Sequence, residues 1–449
     1  MRGSRPQGPL SRIVAAFALV TALFAAGAAS GGTLMGVASC AGSTCHGRAE
    51  GNGAVIRQDE IATWQEPSSP SGAHSRAYAA LTTLRGRQIG ATLGVEPTKA
   101  TECLGCHATT GAPRGPEFQI SDGVGCESCH GAANEWLPTH FTVGGSHSAN
   151  VAAGMTPLER PAVRAKVCLD CHYGSSDAGQ FVSHRIMAAG HPRLSFELDL
   201  FSALQQHHDA DADYASRKGT PSSVRLWAVG QAEAVRRSLA LFRQPQFGTQ
   251  GMFPEFYFFD CHSCHRQITD GPQRKLTFET NPGRPILFGT PPYNDENMIM
   301  LSAVSRVLAP GQAAAFDNAT AAFHKAMGQG RGEAVAAAQK LEAAAAALEN
   351  ALDSRGYGSD EAFRVVAAIS DKATSPRFTD YAGSAQAVMA LDTLLNAMVR
   401  EDRVTVGAAA GIRAAINRAY AAVESPESYN PGAFRAALGQ ASRSIEALR

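Results

Sequence analysis

The chain has no surplus of charge of either sign: 40 Lys and Arg are balanced by 40 Asp and Glu, a formal net charge of +0. The bulk attraction that draws proteins to nucleic acid or to anionic membranes is therefore missing. Past residue 30 no apolar run approaches the ~20 residues needed to cross a bilayer, and the period-2 alternation of half-buried strands is scarce. After Cys264 there is no cysteine at all. These absences exclude a nucleic-acid binder, a polytopic membrane protein and a β-rich fold. At 449 residues the chain is long enough for two or three domains with a sizeable core. Folding alone does not require the cysteines.

What is present begins with Arg2, Arg5 and Arg12, followed by "IVAAFALVTALFAAGAAS", a basic then apolar segment ending in small residues. Residues 1–30 read as a cleaved secretory signal, with cleavage after Ala28 or Ser30; a retained signal anchor is the alternative. The mature chain is then expected in an oxidising extracytoplasmic space, the periplasm.

The ten cysteines fall into five close pairs: Cys40/Cys45, Cys103/Cys106, Cys126/Cys129, Cys168/Cys171 and Cys261/Cys264. A histidine follows each pair at once, in "CAGSTCH", "CLGCH", "CESCH", "CLDCH" and "CHSCH". C-x-x-C-H is the attachment signature of c-type haem: the two thiols add to the porphyrin vinyl groups as thioethers, and the adjacent histidine reaches the iron. The iron ligands from these motifs are His46, His107, His130, His172 and His265. Zinc sites need four ligands, so C-x-x-C pairs would work in twos, and five pairs do not divide that way. Disulfides would not need a histidine after each second cysteine. The first pair is wider, C-x-x-x-x-C-H, and still reaches both vinyls if the extra residues bulge out. Its rival reading is a lipobox with Cys40 acylated, making an outer-membrane lipoprotein; Gly31 and Gly32 break the apolar run before it. The expected cofactor is five covalent haems.

The fold is expected to be mainly α with little regular strand. Residues 31–290 carry all five motifs and many Gly and Pro punctuators and read as a haem-cored domain, in which porphyrins supply much of the interior. "TNPGRPILFGTPPYN", residues 280–294, reads as a linker. Residues 291–449 are Ala-rich, with helical periodicity broken at Pro310-Gly311, Gly356, Pro376 and Pro431-Gly432, and predict a helical bundle. His324, on "AAFHKAM", reads as a surface or satisfied histidine.

Nine histidines lie outside the motif positions: His74, His140, His147, His184, His191, His207, His208, His262 and His324. Setting aside His262, trapped inside a motif, and His324 leaves a surplus over five irons, which argues for mostly bis-histidine ligation. Met187 is the rival. Such low-spin irons have no open position and pass electrons.

"SGAHSRAYAAL", "GVGCESCHGAANEWLPTHF", "VCLDCH", "VSHRIMAAGHPRLSFEL", "VRLWAVGQAEA" and "FPEFYFFDCHSCH" resemble the cytochrome c-554-like multihaem family, over roughly residues 36–270. The resemblance implies closely stacked haems serving as an electron relay, with His74, His140, His184 and His191 as distal ligands and Arg76 and Arg193 as propionate partners. The pattern departs from the family at "LQQHHDADADY", where His207 is taken as the fifth distal ligand beside His208. The leading expectation is a relay between a quinol-oxidising membrane complex, other cytochromes or a terminal reductase, with no catalytic residue. The alternative is an oxidoreductase of small nitrogen or sulfur oxyanions, such as hydroxylamine or nitrite, at one open-faced haem. The C-x-x-C-K motif of the related nitrite reductases is absent. A third role is docking or homo-oligomerisation through the helical bundle.

Overall fold

The computed structural model describes residues 32–51, 56–111, 113–193, 195–209, 211–220, 222–249, 253–266, 284–287, 289–375 and 381–449. The segment read as a secretory signal lies outside the described residues. The protein is mainly helical: among the described residues no strand forms, and only isolated bridges join Leu34 to Arg114 and Phe259 to Tyr293.

The first half is built of short helices: α1 (Glu60–Gln65), α2 (Ala77–Leu81), α3 (Leu84–Leu93), α4 (Thr101–His107), α5 (Cys126–His130), α6 (His147–Ala152), α7 (Pro161–His172), α8 (His184–Ala188), α9 (Leu198–Leu204) and α10 (Ala212–Lys218). The second half is built of long ones: α11 (Ser223–Phe242), α12 (Glu296–Leu308), α13 (Pro310–Met327), α14 (Arg331–Ser354), α15 (Glu361–Ala373), α16 (Tyr381–Arg400), α17 (Val406–Ala421) and α18 (Pro431–Glu446). Local chemistry sets several boundaries. Ser222, Thr405 and Asn430 each accept a backbone N–H at the start of α11, α17 and α18, and Pro stands in the first turn of α7, α13 and α18, where its missing N–H is not needed.

The two halves differ in how they fill their interiors. Before α11 the described buried apolar residues are few, among them Leu34, Val37, Leu81 and Trp136, with a small cluster of Ala165, Leu169, Phe196 and Leu198 against Ala234 of α11. From Val224 onward one continuous core runs through α11 to α18, including Trp227, Phe242, Phe316, Phe363, Leu391 and Phe434. Well over a hundred residues ordinarily bury most of their apolar surface; among the described residues the first half has little such core of its own.

Two boundaries differ from the sequence expectation. Helix α11, placed by sequence in the motif-bearing half, is embedded in the bundle's core, with Arg236 bridging Glu233 and Glu349 of α14 at 2.7 Å each and Arg225 reaching Asp353 at 2.8 Å. The stretch read as a linker is also tied in where it is described. Tyr293, Asn294 and Asp295 are buried, Tyr293 shares a hydrogen bond with Ser238, and Asp295 pairs with Arg284 at 2.8 Å. Its prolines and glycines shape a packed crossing. His324 is almost wholly buried, its Nε2 2.8 Å from Asp295 Oδ2, which makes it a core histidine rather than a surface one.

Phe242 is central to this shared core, with the rings of Phe253, Phe258, Tyr293 and Phe323 at 5.5–5.7 Å. Phe242→Ala is expected to destabilise by about 3–5 kcal/mol. In a denaturant titration the far-ultraviolet circular dichroism and visible absorbance transitions should both move to lower denaturant. An absorbance transition that stays in place would show two independent cores.

Candidate haem-attachment sites

In α4, α5 and α7 the two cysteines of a motif stand three residues apart on one helical turn, so both thiols leave the same face, and the histidine follows at the helix end. The fifth motif makes a single 3-10 turn, Cys261–Ser263, started by Asp260, whose side chain accepts the Ser263 N–H. The first motif is not helical. Cys45 N–H and Gly47 N–H both donate to Gly42 O, and His46 N–H donates to Cys40 O at 3.2 Å, which folds the two extra residues into a turn. A Cβ on Gly47 would stand 2.0 Å from Ala41 O, so this turn closes only with glycine there.

All ten cysteines are free of disulfides. Burial pushes the thiols of Cys129 and Cys168 up to about 11 and about 12. Among the described residues the only three side chains whose donor atoms converge on a metal-sized space are His130, His207 and His208, within 4.8 Å of one another. No four-thiol site forms from paired motifs.

Each motif histidine instead faces a histidine from a distant part of the chain. Ring centroids are 6.3 Å apart for His46 and His140, 6.2 Å for His107 and His191, 6.1 Å for His172 and His74, and 6.2 Å for His265 and His184. His130 faces two, His207 at 6.2 Å and His208 at 6.0 Å. Two imidazoles on opposite sides of one metal, each bonded at about 2 Å, give a separation of this size. Four of the rings are held in the tautomer that ligation requires. The Nδ1 atoms of His107, His140, His191 and His207 lie 2.7, 2.9, 2.8 and 2.7 Å from the carbonyls of Ala77, Leu137, Pro192 and Gln205. A carbonyl only accepts, so Nδ1 carries the proton and Nε2 keeps its lone pair. Burial, ahead of neighbouring imidazoles, lowers His130 to about 3 and His172 and His207 to about 4, holding them neutral.

The remaining histidines go elsewhere. His147 Nε2 is 3.0 Å from Glu159, and His262 Nδ1 bonds Pro426 O at 2.7 Å. Met187, the rival ligand, packs against the bundle core. The two arginines expected at propionates are engaged by the protein: Arg76 donates to the carbonyls of Glu66 and Ser69, and Arg193 pairs with Glu296 at 3.4 Å and donates to Cys261 Sγ at 3.7 Å.

Sequence reasoning missed the acids that moor these motifs. Inside the third motif, buried Glu127 accepts the N–H groups of Met35, Gly36 and Ala133 at 2.7–2.8 Å. Inside the fourth, Asp170 pairs with Arg237 of α11 at 2.5 Å. His265 Nδ1 stands 3.5 Å from Glu427, on the loop before α18, and His262 packs edge-on to Tyr429. Glu60 Oε2 lies 3.0 Å from His46 Nδ1. Only the acids inside motifs carried a signal, as charged residues where any would be tolerated.

Residues 39–131 match the family of cytochrome c554 and c-prime. That segment, which holds the first three motifs and His74, is similar to the cytochrome c554 family. The match supports a c-type cytochrome with covalently bound haem and iron, and electron transfer at a coarse level. No curated protein and no solved structure matches the chain. Among the described residues no helix is long and apolar enough to cross a membrane.

Glu127→Ala would strand three backbone donors, Met35 and Gly36 before the first motif and Ala133 after the third. With charge-assisted bonds worth about 1.5–3 kcal/mol each and not additive, a loss of at least ~3 kcal/mol in denaturant unfolding is expected, with faster proteolysis around residues 33–36.

Proposed function

We propose that the chain is an exported pentahaem cytochrome that relays electrons between redox partners. Cys40/Cys45, Cys103/Cys106, Cys126/Cys129, Cys168/Cys171 and Cys261/Cys264 are the thioether donors. His46, His107, His130, His172 and His265 are the proximal ligands, opposed in turn by His140, His191, His207, His74 and His184. The single observation carrying this reading is the fivefold pairing of a motif histidine with a second imidazole at 6.0–6.3 Å. At the third site His207 is assigned over His208 because its Nδ1 is 2.7 Å from Gln205 O, whereas Nδ1 of His208 is 3.6 Å from Glu60, beyond a hydrogen bond. Haem c supplies reversible one-electron exchange when bound. What this chain contributes is ligands, spacing and surroundings.

Contacts between motifs support a single-file order, first, third, fourth, second, fifth. The side chains of Cys40 and Cys126 are neighbours, as are those of Cys106 and Cys171 and those of Cys129 and Cys168. The segment 184–191 gives His191 to the second site and His184 to the fifth, and Arg185 of α8 pairs with Glu102 of α4 at 3.4 Å. The exposed cysteines, Cys45 and Cys264, belong to the first and last sites of this file. Exposed ends suit exchange with partners on either side: a quinol-oxidising membrane complex or another cytochrome at one, a terminal reductase at the other, in the periplasm. Two imidazoles at every site leave no open face, so the oxyanion-reductase reading gains no support.

Intact mass of the purified protein should equal the signal-cleaved chain plus five haems. Four haems would remove the first site, and two or fewer would sink the relay. Electron paramagnetic resonance of the oxidised protein should show low-spin iron throughout. His74→Ala should create one high-spin centre that binds carbon monoxide when reduced. A wild-type high-spin centre that turns over hydroxylamine or nitrite would favour the enzyme instead.

A further inference from the structure

We infer that Glu60 is a positioning residue for His46 and that its charge makes the first haem site the hardest of the five to reduce. This rests on the reading that Cys40, Cys45 and His46 hold a haem. Glu60 opens α1, is 5% exposed, and points Oε2 at His46 Nδ1 across 3.0 Å. The main chain repeats the tie, Ile61 N–H donating to His46 O at 3.1 Å, so ring and carboxylate are held in register from both ends.

A carboxylate on Nδ1–H fixes the tautomer that leaves Nε2 for the iron and pushes electron density into the ring. Greater basicity favours the more positive ferric iron over the ferrous. In a buried setting the anion acts through low dielectric and is little screened. The other motif histidines differ. His107 Nδ1 meets only the neutral carbonyl of Ala77, and His172 Nδ1 is buried with no partner. His265 has an acid, Glu427, but at 3.5 Å with both side chains more than half exposed, where water screens the pair. Glu60 also stands near the third site, yet His208 Nδ1 is 3.6 Å from it and His208 is not the assigned ligand. Its charge also acts through space on His207, but its direct contact with an assigned ligand is at His46.

The test is a spectroelectrochemical titration of the holoprotein at one pH, wild type against Glu60→Gln and Glu60→Asp. Glu60→Gln keeps an acceptor of the same shape and removes the charge. One of the five reduction steps should move so that reduction is favoured roughly tenfold, ~59 mV for a one-electron couple, and Glu60→Asp should restore most of the difference. His140→Met, which changes ligation at the first site, should alter the spectrum of that same step. All five haems and low-spin iron should persist in Glu60→Gln. If no step moves, or the step that moves is instead the one altered by His207→Ala, the inference fails while the relay stands. The same holds if Glu60→Asp shifts as far as Glu60→Gln, because loosened packing would then be the cause. A wild-type protein with four haems and unmodified Cys40 and Cys45 overturns both the first site and this inference, and intact mass tells that case apart.

Discussion

Five gaps of about 6 Å between imidazole rings constrain everything in the first half of this protein. Each gap is bounded on one side by a histidine whose place follows from two cysteines just before it, and on the other by a histidine from a different helix or loop. To hold those gaps open the intervening chain stays in short helices and turns, and it buries little apolar side chain of its own. At His107, His140, His191 and His207 the Nδ1 bonds to carbonyls leave the lone pair on Nε2.

The helical half supplies the core that the first half lacks. Helix α11 belongs to that core, and through it Arg237 grips Asp170 of the fourth motif. At the other end the loop before α18 receives the fifth motif: Pro426 O accepts from His262, Glu427 approaches His265, and Tyr429 lies against His262 while its hydroxyl meets Ser384. The backbone N–H of Ala382, at the start of α16, reaches Asp260, the residue that starts the fifth motif's turn. The bundle thus packs directly against the fifth motif.

The motifs were fully legible because their chemistry is local. Two thiols and an imidazole within five residues, or seven in the first case, are set by the covalent geometry of one helical turn or one tight loop. The helical class and the Ala-rich bundle were legible for the same reason, from periodicity and from Pro and Gly breaks. The pool of distal histidines could be counted, but which of them meets which motif histidine is a long-range matter: His74 finds His172, and His191 finds His107 across the turn at Gly190.

By itself, then, the sequence determined the cysteine pairs, the motif histidines and the helical character, each carried by neighbours along the chain. Only the tertiary structure decided the partner of every motif histidine, the union of α11 with the bundle, the burial of Tyr293 to Asp295 in what read as a linker, and the mooring acids Glu60, Glu127 and Asp170. A carboxylate becomes a ligand's partner or a loop's anchor when folding removes it from water beside a donor it does not neighbour in sequence. No local pattern encodes that encounter, because its energy comes from desolvation and distance, and both are set only when the whole chain has closed.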